Sequence, residues 1–222
     1  YQQGIALMTH KYQCLYGKNV KELFLKCECF DPSLPVWFVH DVNAVLSGEM
    51  WKGVAKHYHN VAVVTLGTGL GFAYSKDDVI QCSELGSPLR SIFRTPCKDG
   101  ILEDFTAQRG FIRLFEERLG YTVEHLTAKD IGQMADEGNI AAVSTFQEVA
   151  QILCEALSDI LKEESISCLL FGGQISRSFA YMKDSLKRLC LIVPTLKHIS
   201  PVTSIDNAAL WGTLSMKPKK YC

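Results

Sequence analysis

Apolar residues recur along the chain with two periods. Ile140, Val143, Phe146, Val149, Ala150, Leu153, Leu157, Ile160 and Leu161 fall at steps of three and four, the spacing of one helix face, and predict a helix over 140–161. Residues 61–66 and 168–171 are short continuous apolar runs, which read as buried strands. Residues 34–39, rich in Val and aromatics, read as another. They lead through His40 and Asp41 into a predicted helix over 42–58, with Asp41 where an N-cap would stand. After 61–66 comes a glycine-rich turn at 67–71, then a strand over 72–75, with Val79 and Ile80 adding a short one, in a hairpin pattern.

Residues 81–100 are rich in Gly, Pro, Ser and Cys and predict a long loop, the kind that tends to be functional or mobile. Two helical stretches follow within 101–119, broken near Gly110, and another over 127–137 opened by a Thr-x-x-Asp cap. Towards the C-terminus the pattern predicts a helix over 178–189, short strands at 191–193 and 197–199, and a last helix that Asp206 caps and Leu214 ends. A strand–helix unit, a hairpin, a helical block and alternating strands and helices make an α/β fold, a mixed sheet with helices on its faces.

Composition narrows this little. The 222 residues suffice for one large domain, or one domain and part of a second. With 47% hydrophobic and 21% charged residues the chain can bury a core. A net charge of -1 gives no electrostatic reason to expect nucleic acid or a membrane surface as main partner. Lys217, Lys219 and Lys220 read as a solvated end. No apolar stretch reads as long enough to span a bilayer. The nine cysteines are odd in number, and no secretory signal precedes them, so the expected compartment is a reducing one, the cytoplasm. Cys154 and Cys168 read as buried small hydrophobes, and Cys27 and Cys29 lie too close in sequence for an ordinary metal pair. The chain begins at Tyr1 rather than Met, so it reads as a fragment, a processed product or a chain with a further upstream part.

Three stretches have the residue types for chemistry. His40-Asp41-Val42-Asn43-Ala44 stands at a strand end leading into a helix; a carboxylate there can take a proton from an attacking hydroxyl, or simply cap the helix. Leu66-Gly67-Thr68-Gly69-Leu70-Gly71 lies between two strands. Its glycines let backbone N–H groups crowd around phosphate oxygens and Thr68 adds a hydroxyl, or the stretch is only a tight hairpin turn. It is neither a Walker loop, lacking Gly-Lys-Ser/Thr, nor a dinucleotide fingerprint, since a strand follows. Leu170-Phe171-Gly172-Gly173-Gln174-Ile175-Ser176 joins a strand to a helix, where a flat ring or phosphate can approach backbone, or where the chain merely turns.

Taken in order, these stretches resemble the ROK family of sugar kinases, in the actin-like ATPase (ribonuclease H-like) superfamily. The family's Asn-Asp-x-Asn-Ala corresponds to His40-Asp41-Val42-Asn43-Ala44, its Gly-Thr-Gly-x-Gly hairpin to Gly67-Thr68-Gly69-Leu70-Gly71, its Gly-Glu-x-Gly-His loop to Ser83-Glu84-Leu85-Gly86-Ser87, and its strand-Gly-Gly to Gly172-Gly173-Gln174. Leu102-Glu103-Asp104-Phe105 and Asn207-Ala208-Ala209-Leu210-Trp211-Gly212 resemble two further family stretches. The resemblance implies transfer of the γ-phosphoryl of ATP, with Mg²⁺ bridging the phosphates, to a hexose or N-acetylhexosamine hydroxyl. It implies Asp41 as general base, His40, Asn43 and Glu84 at the sugar, Gly67, Thr68, Gly69 and Gly71 at the phosphates, Gly172 and Gly173 at the adenosine, and a homodimer. It also implies that 34–222 form the C-terminal domain, with 1–33 a remnant of, or linker from, the N-terminal lobe.

Three features depart from the family pattern. Its first phosphate loop, Asp-x-Gly-Gly-Thr, has no counterpart in 1–33. Its zinc ligands, one His and three Cys, are replaced by Ser87, Arg94, Pro96 and Ile101, and Cys97 falls on a Gly position; the expectation is no metal and no structural zinc. His57 and His59 are expected to face solvent. His40 replaces the usual Asn, as an altered sugar contact or as a tolerated polar residue. A non-catalytic sugar-sensing regulator and a degenerate kinase paralogue stand as alternatives to the enzyme.

Overall fold

A computed structural model describes residues 4–7, 12–31 and 33–216. Near the start a 3₁₀ turn (Gln13–Leu15) precedes helix α1 (Val20–Leu25), whose Asn19 cap accepts the Glu22 N–H. Helix α2 (Asp41–Lys52) leads through a 3₁₀ turn (Val54–His57) into strands β1 (Val61–Leu66), β2 (Leu70–Lys76) and β3 (Val79–Ile80). A small hairpin of β4 (Pro96–Cys97) and β5 (Gly100–Ile101) interrupts the loop that follows. Helices α3 (Leu102–Thr106), α4 (Gln108–Leu119), α5 (Ala128–Asp136) and α6 (Ile140–Glu163) form the helical block. Strand β6 (Cys168–Gly172), a 3₁₀ segment (Gln174–Tyr181), α7 (Lys183–Leu186), α8 (Arg188–Ile192), β7 (His198–Pro201) and α9 (Ala208–Ser215) complete the described chain.

The main sheet has the order β3-β2-β1-β6-β7. β1 pairs antiparallel with β2 and parallel with β6, and β6 is parallel to β7. Side chains alternate across the sheet, so each strand serves two cores. Ala62, Val64, Leu66, Leu169 and Phe171 join the cluster built on Phe105, Phe111, Phe146, Leu153 and Leu157 of the helical block. Val61, Val63, Ala73, Cys168 and Leu170 face the other way, onto Val42 and Leu46 of α2 and Ala208 of α9. Helices therefore cover both faces of a mixed sheet. On the second face α2 and α9 approach closely through Ala44, Gly48, Ala208 and Gly212, and a Cβ at Gly212 would collide with the Ala44 carbonyl. That fit fixes where the start of α2 points.

Several elements differ from expectation for identifiable reasons. Residues 34–39 form no strand; Leu34 is 50% exposed, no described strand lies beside the segment, and Pro35 has no N–H to give a ladder. α2 ends at Lys52, with Gly53 as its C-cap. The break within 101–119 falls at Ala107, not Gly110. Gly110 instead packs directly on the backbone of Phe105, where a Cβ would collide. The predicted helix over 178–189 is divided, with a kink at Ser178, and 191–193 is no strand, because Leu191 and Ile192 end α8 just ahead of Pro194. Asp206 does not cap the last helix: Asn207 holds that position without a side-chain bond to the helix N–H groups, its Nδ2 donating to Ser204 Oγ instead, and Asp206 is engaged elsewhere.

α6 runs two residues beyond its predicted end, and Ile140, at its first turn, is 82% exposed. By length and composition it is apolar enough to cross a bilayer, contrary to the sequence reading, but half of that window is buried in the core between sheet and helices. The Thr127–Asp130 capping box, the strand at residues 198–201 and the burial of Cys154 and Cys168 follow the sequence expectation. Lys217, Lys219 and Lys220 lie outside the described residues.

Candidate functional site

Parallel strands end on the same edge of a sheet, and the two glycine turns follow the ends of β1 and β6. Thr65 of β1 stands opposite both Gly71 and Gly172. Gly173 has φ +82°, and a Cβ on it would collide with the Leu66 carbonyl. The turn at 172–173 therefore lies against the chain just before the turn at 67–69. Gly67 is the opposite case: its φ is not positive, and no heavy atom stands within 4 Å of where its Cβ would be.

The open loop is braced from below. The Gly67 carbonyl accepts the Gln108 N–H at 2.9 Å, at the first turn of α4. The Leu70 N–H donates to Glu103 Oε2 at 2.9 Å, and Arg109 pairs with Glu103 at 3.2 Å and with Asp104 at 2.6 Å. Thr68 is exposed at the tip. Glu103 was visible in the sequence only as part of the Leu102–Phe105 resemblance; its hold on the loop was not.

The start of α2 closes one side of this edge. His40 is the N-cap and Asp41 the first helical residue, so Asp41 is not the cap that the sequence suggested. The Asp41 side chain is 89% exposed; its Oδ1 accepts the Val42 N–H at 2.8 Å and lies 2.9 Å from His40 Nδ1. A carboxylate in the first turn is favoured by the helix dipole. Val42 packs beside Gly71, 3.4 Å from where a Cβ would sit, so the first turn of α2 lies against the start of β2.

Asn43 is fully buried. Its Nδ2 donates to Gly86 O at 3.1 Å and to Cys82 Sγ at 3.2 Å. Asn43 thus holds the turn at 83–86, whose own bonds run from the Gly86 N–H to Ser83 O and from the Ser83 N–H to Ser87 O. Glu84 is exposed on that turn. Asn43 Oδ1 is buried with no hydrogen-bond partner among the described residues. An orphaned buried acceptor costs about 1–3 kcal/mol, and it stands two residues from Asp41.

The zinc ligand set does not fit this chain. Pro96 and Ile101 face each other across the β4–β5 hairpin, and Ser87 and Arg94 offer no ligand. The hairpin is tied by the Leu102 N–H to Thr95 O, the Ile101 N–H to Asp104 Oδ2 at 3.0 Å, and Lys98 Nζ to Glu148 at 2.7 Å. Among the described residues no three His, Cys, Asp or Glu gather as a metal cluster. His57 and His59 are exposed, and His59 pairs with Asp78 at 2.7 Å, a bond that raises its pKa.

A cleft of about 790 Å³ opens between the 3₁₀ segment and residues 198–206, with Ser176, Arg177, Lys183, Ser200, Thr203 and Asp206 on its walls. Arg177 pairs with Asp206 at 2.6 Å, and Gln174, next to Gly173, donates to the same carboxylate at 3.4 Å. The Arg177 bond holds the Asp206 pKa below the usual range. The cleft therefore begins where the Gly172–Gly173 turn ends. No periodic or motif signal in the sequence marked Arg177 or Thr203.

Known proteins share this layout. The glucokinase of Halalkalibacterium halodurans is 27% identical over 169 residues, 67% of this chain and 51% of that protein. The chain thus spans about half the length of that relative. The structure of a ROK family glucokinase from Streptomyces griseus in complex with glucose and AMPPNP superposes with TM-score 0.80 at 20% identity, over 95% of this chain and 75% of that one. A ROK family transcriptional regulator, a homologue of the E. coli MLC protein, does so with TM-score 0.80 at 18% identity, over 96% and 58%. The fold, a mixed sheet between two helical layers, is that of these structures and of the actin-like ATPases. The ROK family profile matches residues 20–88 and 90–218, nearly the whole chain and every stretch of the site edge, and the chain belongs to the ROK family.

Proposed function

We propose that this chain carries the catalytic face of an ATP-dependent sugar kinase of glucokinase type. The observation that carries the reading is the start of α2: an exposed carboxylate, Asp41, in the helix turn that packs on Gly71 through Val42, two residues from the orphaned Asn43 Oδ1. A sugar hydroxyl is a donor that satisfies Asn43 Oδ1, and Glu84 is near enough in sequence to the Asn43-held turn to accept others. Asp41 takes the proton of the attacking hydroxyl. Backbone N–H groups and the Thr68 hydroxyl of the 67–71 loop receive phosphate oxygens, and the cleft beyond Gly172 and Gly173 receives base and ribose. Mg²⁺ carried on the phosphates supplies charge neutralisation. Residues 1–33 then lead in from a first lobe.

The similarity to glucokinases supports the enzyme. The equal TM-score to a regulator keeps a second reading, a sugar sensor with no chemistry. Asp41 separates them, since a sensor needs no base. In the intact protein, Asp41→Asn is expected to lower sugar-dependent ADP release about a hundredfold or more, with sugar affinity changed far less. Equal, measurable turnover in the variant and the parent would leave Asp41 as a helix-end charge without a role as base, and no sugar-dependent turnover in the intact parent would favour the sensor. Residues 1–222 alone are expected to bind nucleotide weakly and not to phosphorylate sugar, because one phosphate loop leaves the γ-phosphate open to water. Robust hexose-dependent ADP release by this chain would overturn that account of the cleft.

A further inference from the structure

The deepest charge on α2 lies not at its catalytic end but two turns further on. Glu49 is fully buried, which carboxylates almost never are without partners. Oε1 accepts the Thr203 N–H at 2.7 Å and Oε2 accepts the Thr203 hydroxyl at 2.9 Å, and the backbone N–H groups of Val54 and Ser204 also face the carboxylate. The Thr203 Oγ1 accepts in turn from the Val54 N–H at 3.0 Å, just past the end of α2. Gly53 packs on the same carboxylate, and a Cβ there would displace it. Burial pushes the Glu49 pKa up while bonds from Thr203, Val54 and Ser204 pull it back. A buried charge of this kind commonly stabilises a fold no better than a hydrophobic residue of the same size. Core packing alone does not account for Glu49; the placement of Thr203 does.

Thr203 sits in the wall of the cleft, within the segment joining β7 to α9. Three residues on, Asp206 crosses to Arg177 and to Gln174 beside the Gly173 turn. The same helix that presents Asp41 at one end therefore grips the far wall of the cleft near its other end. We propose that Glu49 is a positioning residue for the nucleotide: it fixes the wall at 202–206 against α2, so that the cleft and the Asp41 end belong to one rigid unit. This rests on the reading that the cleft receives the base and ribose of ATP. Glu49 touches no reacting atom, and its effect passes through Thr203.

The test uses the full chain and Glu49→Gln. The amide keeps the shape but loses the charge and one acceptor, so it cannot hold the Thr203 N–H and hydroxyl together with the Val54 and Ser204 N–H groups. The Thr203 amide is expected to exchange its hydrogen at least tenfold faster, and affinity for a fluorescent ATP analogue to fall about tenfold. Thr203→Ser, which keeps both donors, is expected to stay within twofold of the parent, and Thr203→Val to lie between. A variant that melts lower yet binds the analogue with unchanged affinity would make Glu49 merely structural and overturn the proposal. Unchanged exchange at Thr203 would overturn it as well. If the parent chain binds no ATP analogue, the nucleotide reading of the cleft fails and the proposed role at the nucleotide falls with it, whereas binding by the parent with equal binding by Glu49→Gln sinks this inference alone.

Discussion

The two glycine turns at the sheet edge have the same residue type and opposite reasons for it. At Gly173 the protein itself requires glycine: the φ is positive, and the Leu66 carbonyl occupies the place of a side chain. At Gly67 nothing in the protein requires it: the backbone angle suits any residue, and the space around it is open. A glycine required by packing reports on the fold, because β1 and β6 must come together there. A glycine with no internal reason points outward, to something that approaches the backbone from solvent. The sequence shows two Gly-rich turns of equal standing, and the structure separates a turn closed by packing from one that stands open.

Replacement at the closed turn has the largest expected effect. Gly173→Ala adds a backbone strain of about 1–3 kcal/mol, because φ +82° with ψ 165° is a region that only glycine readily adopts, to an overpacking term of about 1–3 kcal/mol. The expected loss is about 3 kcal/mol, or roughly 10 °C in Tm for a chain of this size. Thermal unfolding followed by circular dichroism measures it. A shift under 2 °C would mean that the turn relaxes freely, and the contrast with Gly67 would vanish.

Gly67→Ala should do the reverse. A compatible backbone gains a few tenths of a kcal/mol from the stiffer unfolded chain, so Tm should hold or rise slightly. Affinity for ATP should fall about tenfold, because the methyl group occupies the path of a phosphate to the backbone N–H groups. Isothermal titration of the parent and the variant reads both quantities on one sample. Lower stability with unchanged affinity would make the open loop a second turn held by packing.

How much of this could be read from the sequence follows the range of the forces involved. The 140–161 stripe, the 61–66 and 168–171 runs and the Thr127–Asp130 box are local patterns, and each became the element expected. The segment 34–39 has strand composition, but a strand needs a neighbour, and composition does not supply one. Gly110 looked like a helix breaker because its reason, the Phe105 backbone pressed against it, is a packing contact. Asp206 looked like a cap because Asp is a good one, yet the Arg177 guanidinium, 29 positions away in sequence, claims its carboxylate. The order of motifs identified the family, since order survives when single motifs are ambiguous. Glu49, Glu103 and Thr203 act through contacts between distant stretches, and no local period marks them.

The smallest effect tests how the closed turn is held. Ser176 is buried and its hydroxyl donates to the Gly172 carbonyl at 2.7 Å, one turn back along the chain. The residue borders the cleft, so its hydroxyl has two conceivable employers, the turn and a ligand. A hydrogen bond already made inside the protein is not free for a ligand, and its net worth is about 1 kcal/mol. Ser176→Ala is therefore expected to lower Tm by about 3 °C and to leave ATP affinity within twofold. That outcome makes the 172–173 turn self-sufficient, in contrast to the 67–71 loop, where the Gly67 and Leu70 N–H groups are used internally but those of Thr68 and Gly69 donate to no described residue. A tenfold loss of affinity at unchanged Tm would instead assign the hydroxyl to the ligand. Both turns would then serve the ligand, and the distinction between them would rest on Gly173 alone.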